Sequence, residues 1–296
     1  LIKPILSDIR DKNSLNSIFE DFKPQVVFHA AAYKHVPIQE SFPWEAIKTN
    51  VFGTLNLSEL SVSHNVEKFV LVSTDKAVKP TNVMGASKRL AEIVIKNYNL
   101  LSNDTEFMAV RFGNVLGSSG SVIPIFQEQI KNGGPITITD PDMERYFMSI
   151  PEASQLILQA GSLGIGSEVF ILDMGSPIKI LDIANELIRL SGYEPELDIP
   201  IVITGKRPGE KKIEELALPS ENLDKTKHDK IFVLNDNKLT ESYIFDLIKN
   251  IKELESNLTN RNPDQLKSRL SDILPEYEPS DVKEKVFSRI KSEAEA

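Results

Sequence analysis

The run Phe69-Val-Leu-Val72 is four apolar residues in a row, without the alternation of a half-buried strand. A strand of that kind is covered on both faces, which commits it to a parallel sheet with helices above and below. It stops at Ser73-Thr74-Asp75-Lys76, and Met84-Gly-Ala-Ser-Lys88 follows at the start of a helical pattern. A hydroxyl, a carboxylate and an amine thus stand at the carboxyl end of a buried strand, where open α/β sheets hold their ligands. Met84 and Lys88 are i, i+4 and share one helix face. These groups beside a helical lysine are equipment for moving protons on a bound alcohol. A strand end with solvated polar residues would read the same way.

The pattern recurs along the chain. Lys3–Leu6 reads as the end of a strand, closing in Ser7-Asp8-Ile9-Arg10-Asp11, and a helix with Leu15, Ile18, Phe19 and Phe22 on one side follows. Gln25–Phe28 is a short buried strand running into His29-Ala30-Ala31-Ala32. Three alanines at a strand end let a flat ligand approach the backbone, or serve tight helix–sheet packing; both readings stay open. Pro43–His64 reads as a long helix with Asn50 inside it, where a polar amide needs a partner. A helix over Met84–Leu101, a strand over Phe107–Arg111 and a Gly/Ser-rich loop over Phe112–Ser121 complete this half. Alternation in units of roughly thirty residues predicts a doubly wound parallel α/β sheet, Rossmann-type, with right-handed crossovers.

From Ser121 the character changes. A helix over Val122–Lys131, short strands over Ile136–Ile138 and Tyr146–Ile150, a helix opened by Pro151, a strand over Glu168–Leu172, a helix over Ile180–Ser191 and a strand over Ile199–Ile203 are expected. The predicted organisation is a Rossmann-type α/β domain over 1–120, a smaller α+β lobe over 121–240 interleaved with it, and a charged helical tail over 241–296.

Net charge is −9 and no basic stripe is evident, which argues against a nucleic-acid partner. The chain has no cysteine, so disulfides and thiolate metal sites are excluded. Its four histidines lack metal-ligand spacing, and no metal is expected. No apolar run approaches a membrane span and no signal peptide opens the chain, so a cytoplasmic location is expected.

Taken together, Ser7–Asp11, His29–Pro37, Thr49–Thr54, Ser73–Val78, Met84–Lys88, Arg111–Gly117, Thr139–Arg145 and Arg207–Lys211 resemble the extended short-chain dehydrogenase/reductase superfamily. Within it they resemble the CapD-like nucleotide-sugar 4,6-dehydratases of bacterial polysaccharide biosynthesis, which act on UDP-N-acetylglucosamine. The resemblance covers roughly residues 3–235. It implies an NAD-dependent lyase that makes a 4-keto-6-deoxy sugar. Asp8 and Ile9 would lie against adenine, and Ala30, Ala31 and Ala32 would line the cofactor's ribose and phosphates. Asn50 would fix the helix and an active-site water, and Lys88 would hold the nicotinamide ribose. Thr74 would contact the sugar 4-hydroxyl, Asp75 protonate the departing 6-hydroxyl, and Lys76 take the carbon-5 proton. Lys34 would reach the sugar, Asn114 and Arg207 the diphosphate, Glu210 the ribose, and Arg145 the nucleotide. A homo-oligomer is implied; by the same analogy the helices Pro43–His64 and Met84–Leu101 would be its face, or they simply cover the sheet, and both readings stay open.

Two departures stand out. The superfamily's usual tyrosine, four residues before the helical lysine, is Met84 here, and a thioether cannot take a proton. Nor does a G-x-G-x-x-G occur; the resemblance would put it, with the sheet's first strand, before Leu1. That predicts a gap or edge defect in the sheet and weak NAD binding by these residues alone. The Met-x-x-x-Lys spacing is similar to one branch of these dehydratases, whose fuller members often carry an N-terminal membrane anchor, and the resemblance implies such an anchor on a longer parent chain. The rival readings are a UDP-sugar 4-epimerase and a non-catalytic nucleotide-sugar or NAD-binding protein.

Overall fold

The computed structural model describes residues 2–218, 221–235 and 240–279. In chain order its first half comprises α1 (Lys12–Phe22), β1 (Val26–His29), α2 (Val36–Ser41), α3 (Pro43–Ala46), a wide π turn over Ile47–Phe52, and α4 (Gly53–Ser63). Next come β2 (Lys68–Val72), a 3-10 turn (Asp75–Ala77), α5 (Val83–Leu101), β3 (Glu106–Arg111) and β4 (Asn114–Val115). The second half holds α6 (Val122–Lys131), β5 (Ile136–Ile138), β6 (Glu144–Arg145), β7 (Phe147–Met148), α7 (Ile150–Leu163), β8 (Val169–Leu172), β9 (Ile178–Lys179), α8 (Ile180–Leu190) and β10 (Ile201–Ile203). β11 (Asn222–Lys225), β12 (Ile231–Asn235), α9 (Glu241–Asn257) and α10 (Pro263–Ile273) follow.

Six strands form the main sheet in the order β1-β2-β3-β8-β12-β11. The first four are parallel, and β12 and β11 close it antiparallel. The run Phe69–Leu71 is fully buried, as its lack of alternation demands. Leu57, Leu60 and Ile95 from α4 and α5 cover one face, with Leu15 and Phe19 of α1; Leu156 and Ala160 of α7 help cover the other. A separate apolar cluster joins α6, β5 and α8 through Phe126, Ile136 and Ile188.

Three expectations need correction. Lys3–Leu6 forms no strand: residues 2–8 are paired with nothing in the sheet, whose edge on that side is β1, with Val26 and Phe28 each more than 40% exposed. The helix from Pro43 forms but is not regular, because the π turn widens it at Asn50. The helical stretch after Thr240 is a docked pair rather than a tail as far as the described residues reach; residues 280–296 lie outside them. Ile248, Ile251, Leu254, Leu266 and Leu270 of α9 and α10 join Leu90, Ile93 and Val94 of α5 and Ile47 and Val51 of the π turn in one core. That face of α5, which one of the two readings gave to a second subunit, is therefore covered from within the chain.

Buried His29, at the end of β1, shares a 2.9 Å hydrogen bond with the Thr54 hydroxyl. Burial, with the Lys88 charge adding to it, pushes the imidazole down from 6.5 to about 3. Between those values the unfolded chain takes up a proton that the folded chain refuses, so stability falls as pH drops from about 6.5 toward 3. Urea midpoints measured across this range should show the decline, and His29→Gln should flatten its upper part.

Candidate active site

A cleft of about 370 Å³ opens at the carboxyl ends of β1, β2 and β3. The loop after β1 lends it Ala30, Ala32 and Lys34; the end of β2 lends Thr74 and Lys76; α5 lends Met84 and Lys88; β4 lends Asn114. A larger cavity, about 600 Å³, lies elsewhere among Arg10, Lys12, Lys48 and Arg261. There Arg10 pairs with Asp8 and Glu45, Lys12 with Glu59 and Lys48 with Glu45, so carboxylates already meet these three cations. The chemistry concentrates in the smaller cleft.

The 3-10 turn after β2 folds Thr74, Asp75 and Lys76 into one hydrogen-bonded unit. Asp75 Oδ1 accepts from the Thr74 hydroxyl at 2.8 Å and from Lys76 Nζ at 3.0 Å. Asp75 itself is fully enclosed and reaches the cleft only through these two neighbours. Behind Lys76 stands Glu214, 3% exposed, with Oε1 at 3.6 Å from Nζ. The second oxygens of both carboxylates, Asp75 Oδ2 and Glu214 Oε2, are buried without a hydrogen-bond partner. Burial pulls the Lys76 pKa down, but the Asp75 and Glu214 charges outweigh it, and the net shift is upward. Lys76 therefore rests as an ammonium.

Across the cleft, Lys88 is buried, which lowers its pKa to about 8 against the opposing pull of Glu92. Asn82 caps α5 by accepting the Gly85 amide at 2.8 Å. Under this helix lies a second buried unit: Glu92 takes Ser73 Oγ at 2.6 Å and both Nε and Nη2 of Arg111 at 2.7 Å. Asn50 is buried rather than lining the cleft. Its amide pairs with the backbone N–H (2.8 Å) and carbonyl (3.0 Å) of Tyr33 and donates to Ser87 Oγ at 2.9 Å. The π turn aims it there, fixing the loop that carries Ala32 and Lys34.

The other expected site residues are less gathered. Ala31 is exposed beside the cleft but not in its lining. Asp8 is held by Arg10 at 2.6 Å, and Ile9 packs against Gly53, where a Cβ would collide with it. Arg207 is exposed and Glu210 half-buried on one turn, in which Glu210 accepts the Arg207 amide at 3.0 Å. Arg145 does not line the cleft: its side chain is 8% exposed and its guanidinium donates to the carbonyls of Glu144, Lys211 and Lys212, bracing that loop. Glu214, Glu92 and Arg111 went unassigned as site residues. A charged residue ending the apolar strand Phe107–Val110 was the visible signal for Arg111; Glu214, in a run of charged residues, had none.

A mostly parallel sheet whose β2 ends in Ser-Thr-Asp-Lys opposite a helical lysine defines a Rossmann-type protein of the extended short-chain dehydrogenase/reductase kind. More narrowly, the chain belongs to the polysaccharide biosynthesis protein family, whose model matches residues 1–236. It is 55% identical over 229 residues to the capsular polysaccharide biosynthesis protein CapD of Staphylococcus aureus, covering 77% of this chain but 38% of that one. The chain thus spans little more than a third of that relative's length. A UDP-glucose 4-epimerase of Rickettsia rickettsii is 37% identical over 222 residues, 74% of this chain and 63% of that one. The X-ray structure of Pen from Bacillus thuringiensis matches with a TM-score of 0.71 at 37% identity, over 80% of this chain and 72% of that one. Among the described residues, no helix is long and apolar enough to cross a membrane.

Proposed function

We propose that this cleft dehydrates UDP-N-acetylglucosamine to its 4-keto-6-deoxy sugar, as an NAD-dependent 4,6-dehydratase (hydro-lyase) of polysaccharide biosynthesis. The observation that carries the reading is the Thr74–Asp75–Lys76 unit, bonded within itself and backed by Glu214. The residues fit a dinucleotide: Ala30 and Ala32 offer the cleft no side chain beyond Cβ, and the buried Lys88 amine lines it, suited to ribose hydroxyls. When bound, NAD supplies the hydride acceptance and return that carbons 4 and 6 of the sugar require.

The chain's own residues move the protons. With Met84 unable to take one, Thr74 accepts the 4-hydroxyl proton while passing its own to Asp75. Neutralising Asp75 removes one of the two charges that hold Lys76 as an ammonium, so its pKa falls. Its proton can then pass to Glu214, and the free amine takes the proton from carbon 5. Asp75 returns its proton, through Thr74, to the departing 6-hydroxyl, which leaves as water. Lys76 then returns the carbon-5 proton and recovers its own from Glu214. Asn114 and Lys34 would meet the nucleotide sugar within the cleft, with Arg207 and Glu210 brought to the diphosphate and ribose by their loop.

A 4-epimerase, the activity named for the rickettsial relative, needs no acid–base pair at carbons 5 and 6. The Asp75–Lys76–Glu214 cluster favours elimination over it. The test is to incubate the protein, expressed from its complete gene, with UDP-N-acetylglucosamine in deuterated water and follow the sugar by NMR. A 4-keto-6-deoxy product with deuterium at carbon 5 is expected. Change at carbon 4 alone would assign an epimerase, and binding without product a non-catalytic protein.

A further inference from the structure

The segment after Thr240 lies beyond the residues that the family model matches, yet it reaches the walls of the cleft by three polar routes. Lys267 of α10 puts Nζ 2.7 Å from Glu40 Oε2, and the other oxygen of Glu40 accepts the Val83 amide at 2.7 Å. Val83 opens α5 and adjoins Met84. Arg89 donates Nε to Glu276 at 3.0 Å and Nη1 to Glu92 at 3.1 Å, and Glu92 holds Ser73, the neighbour of Thr74. The Glu278 amide donates to the Pro80 carbonyl at 3.0 Å, in the loop between Lys76 and Met84. Between the two glutamates, Tyr277 is 2% exposed and wedged in the same core.

An apolar cover for α5 would need none of these contacts. The hydrophobic positions of α9 and α10 already supply one, and ion pairs set at a core's margin cost desolvation unless their geometry is used. All three routes end on residues 73–89, the stretch that carries Thr74, Lys76, Met84 and Lys88. We infer that the C-terminal pair α9–α10, with Glu276–Glu278, is a positioning clamp that holds the proton-transfer loop and the start of α5 at their working separation. Lys267 and Glu276 are its positioning residues. The inference rests on the cleft being the site proposed above, but one of its readouts needs no turnover.

The experiment compares Lys267→Met, Glu276→Gln and their double variant with the parent, in the protein expressed from its complete gene. Amide hydrogen exchange reads the clamp directly. In the double variant the Val83 amide and the 77–82 loop should exchange about tenfold faster, with protection of β3 and β8 unchanged. Turnover of UDP-N-acetylglucosamine should lose about tenfold in kcat with KM nearly constant, because misplacing the groups harms the transition state more than ground-state binding. Lys267→Arg, which keeps the ion pair, should restore both. Unchanged exchange over 77–83 in the folded variants would overturn the clamp, and so would faster exchange spread evenly over the sheet, the mark of a simple cover. Should the double variant not fold, the two single variants carry the same comparison. If the parent gives no product while loop exchange still responds, the dehydratase reading fails and the clamp stands.

Discussion

Glu92→Ala should lower the stability of the chain by about 3–5 kcal/mol, seen as a large fall in the urea midpoint. Glu92 is fully buried in α5, and its two oxygens receive Ser73 Oγ, a two-pronged contact from Arg111 and a further bond from Arg89. Truncating it leaves the Arg111 guanidinium, 2% exposed, without its counter-charge, and Arg111 Nη1 already lacks a hydrogen-bond partner. The loss is therefore the cost of an orphaned buried charge, not the worth of the pair. Replacing both partners, as in Glu92→Leu with Arg111→Met, should recover most of it. The pH dependence has the matching sign. Burial alone would raise the Glu92 pKa, but Arg111, Arg89 and the Ser73 hydroxyl together outweigh it and hold it at about 2, against an ordinary 4.5. The contribution is complete above about 4.5 and is lost as pH falls from there toward 2.

Lys76→Met should reduce turnover by about 10²–10⁴-fold, the range expected for loss of a positioned proton-transfer group, with binding of UDP far less affected. The sharper test uses Glu214. Its carboxylate and that of Asp75 together keep the Lys76 pKa above the ordinary lysine value, so a reaction that needs the free amine speeds up as pH rises toward that value. Glu214→Gln removes one of the two charges and should move this limb of the pH–rate profile to lower pH. It should also lower the maximal rate, because the acceptor of the Lys76 proton is gone. A limb that stays in place would mean that Lys76 does not titrate in the rate-determining step.

The alternating run of strands and helices was legible because each apolar stretch had one period and one length. The boundaries of α6 and β5 were readable to the residue for the same reason. What escaped were features that depend on a neighbour distant in sequence. Lys3–Leu6 has the composition of a strand, but a strand exists only with a partner, and its side of the sheet ends at β1. The stretch after Thr240 has the composition of a charged helical tail, and its apolar positions could not announce that α5 would receive them. Thr74, Lys76, Met84 and Lys88 stand out in the sequence as a polar strand end and an i, i+4 helix face, their roles implied only by the resemblance, and the fold puts all four on the lining of the cleft. Glu214 does not stand out, since a glutamate among charges looks solvated until the fold seals it behind Lys76.

The main sheet takes β1 to β3 from the first 111 residues but needs β8 at 169–172 and β11 and β12 at 222–235 to be closed. Between them the chain leaves to build the cluster of α6, β5 and α8, and after them it returns to lay α9 and α10 on α5. A single genetic crossover between two diverged copies of this gene, anywhere from codon 112 to codon 240, would join strands and helices of one parent to the closing pieces of the other. Each hybrid would inherit mismatched halves of at least one core. The stretch is thus a unit of inheritance, and exchange among such genes should leave its junctions outside it.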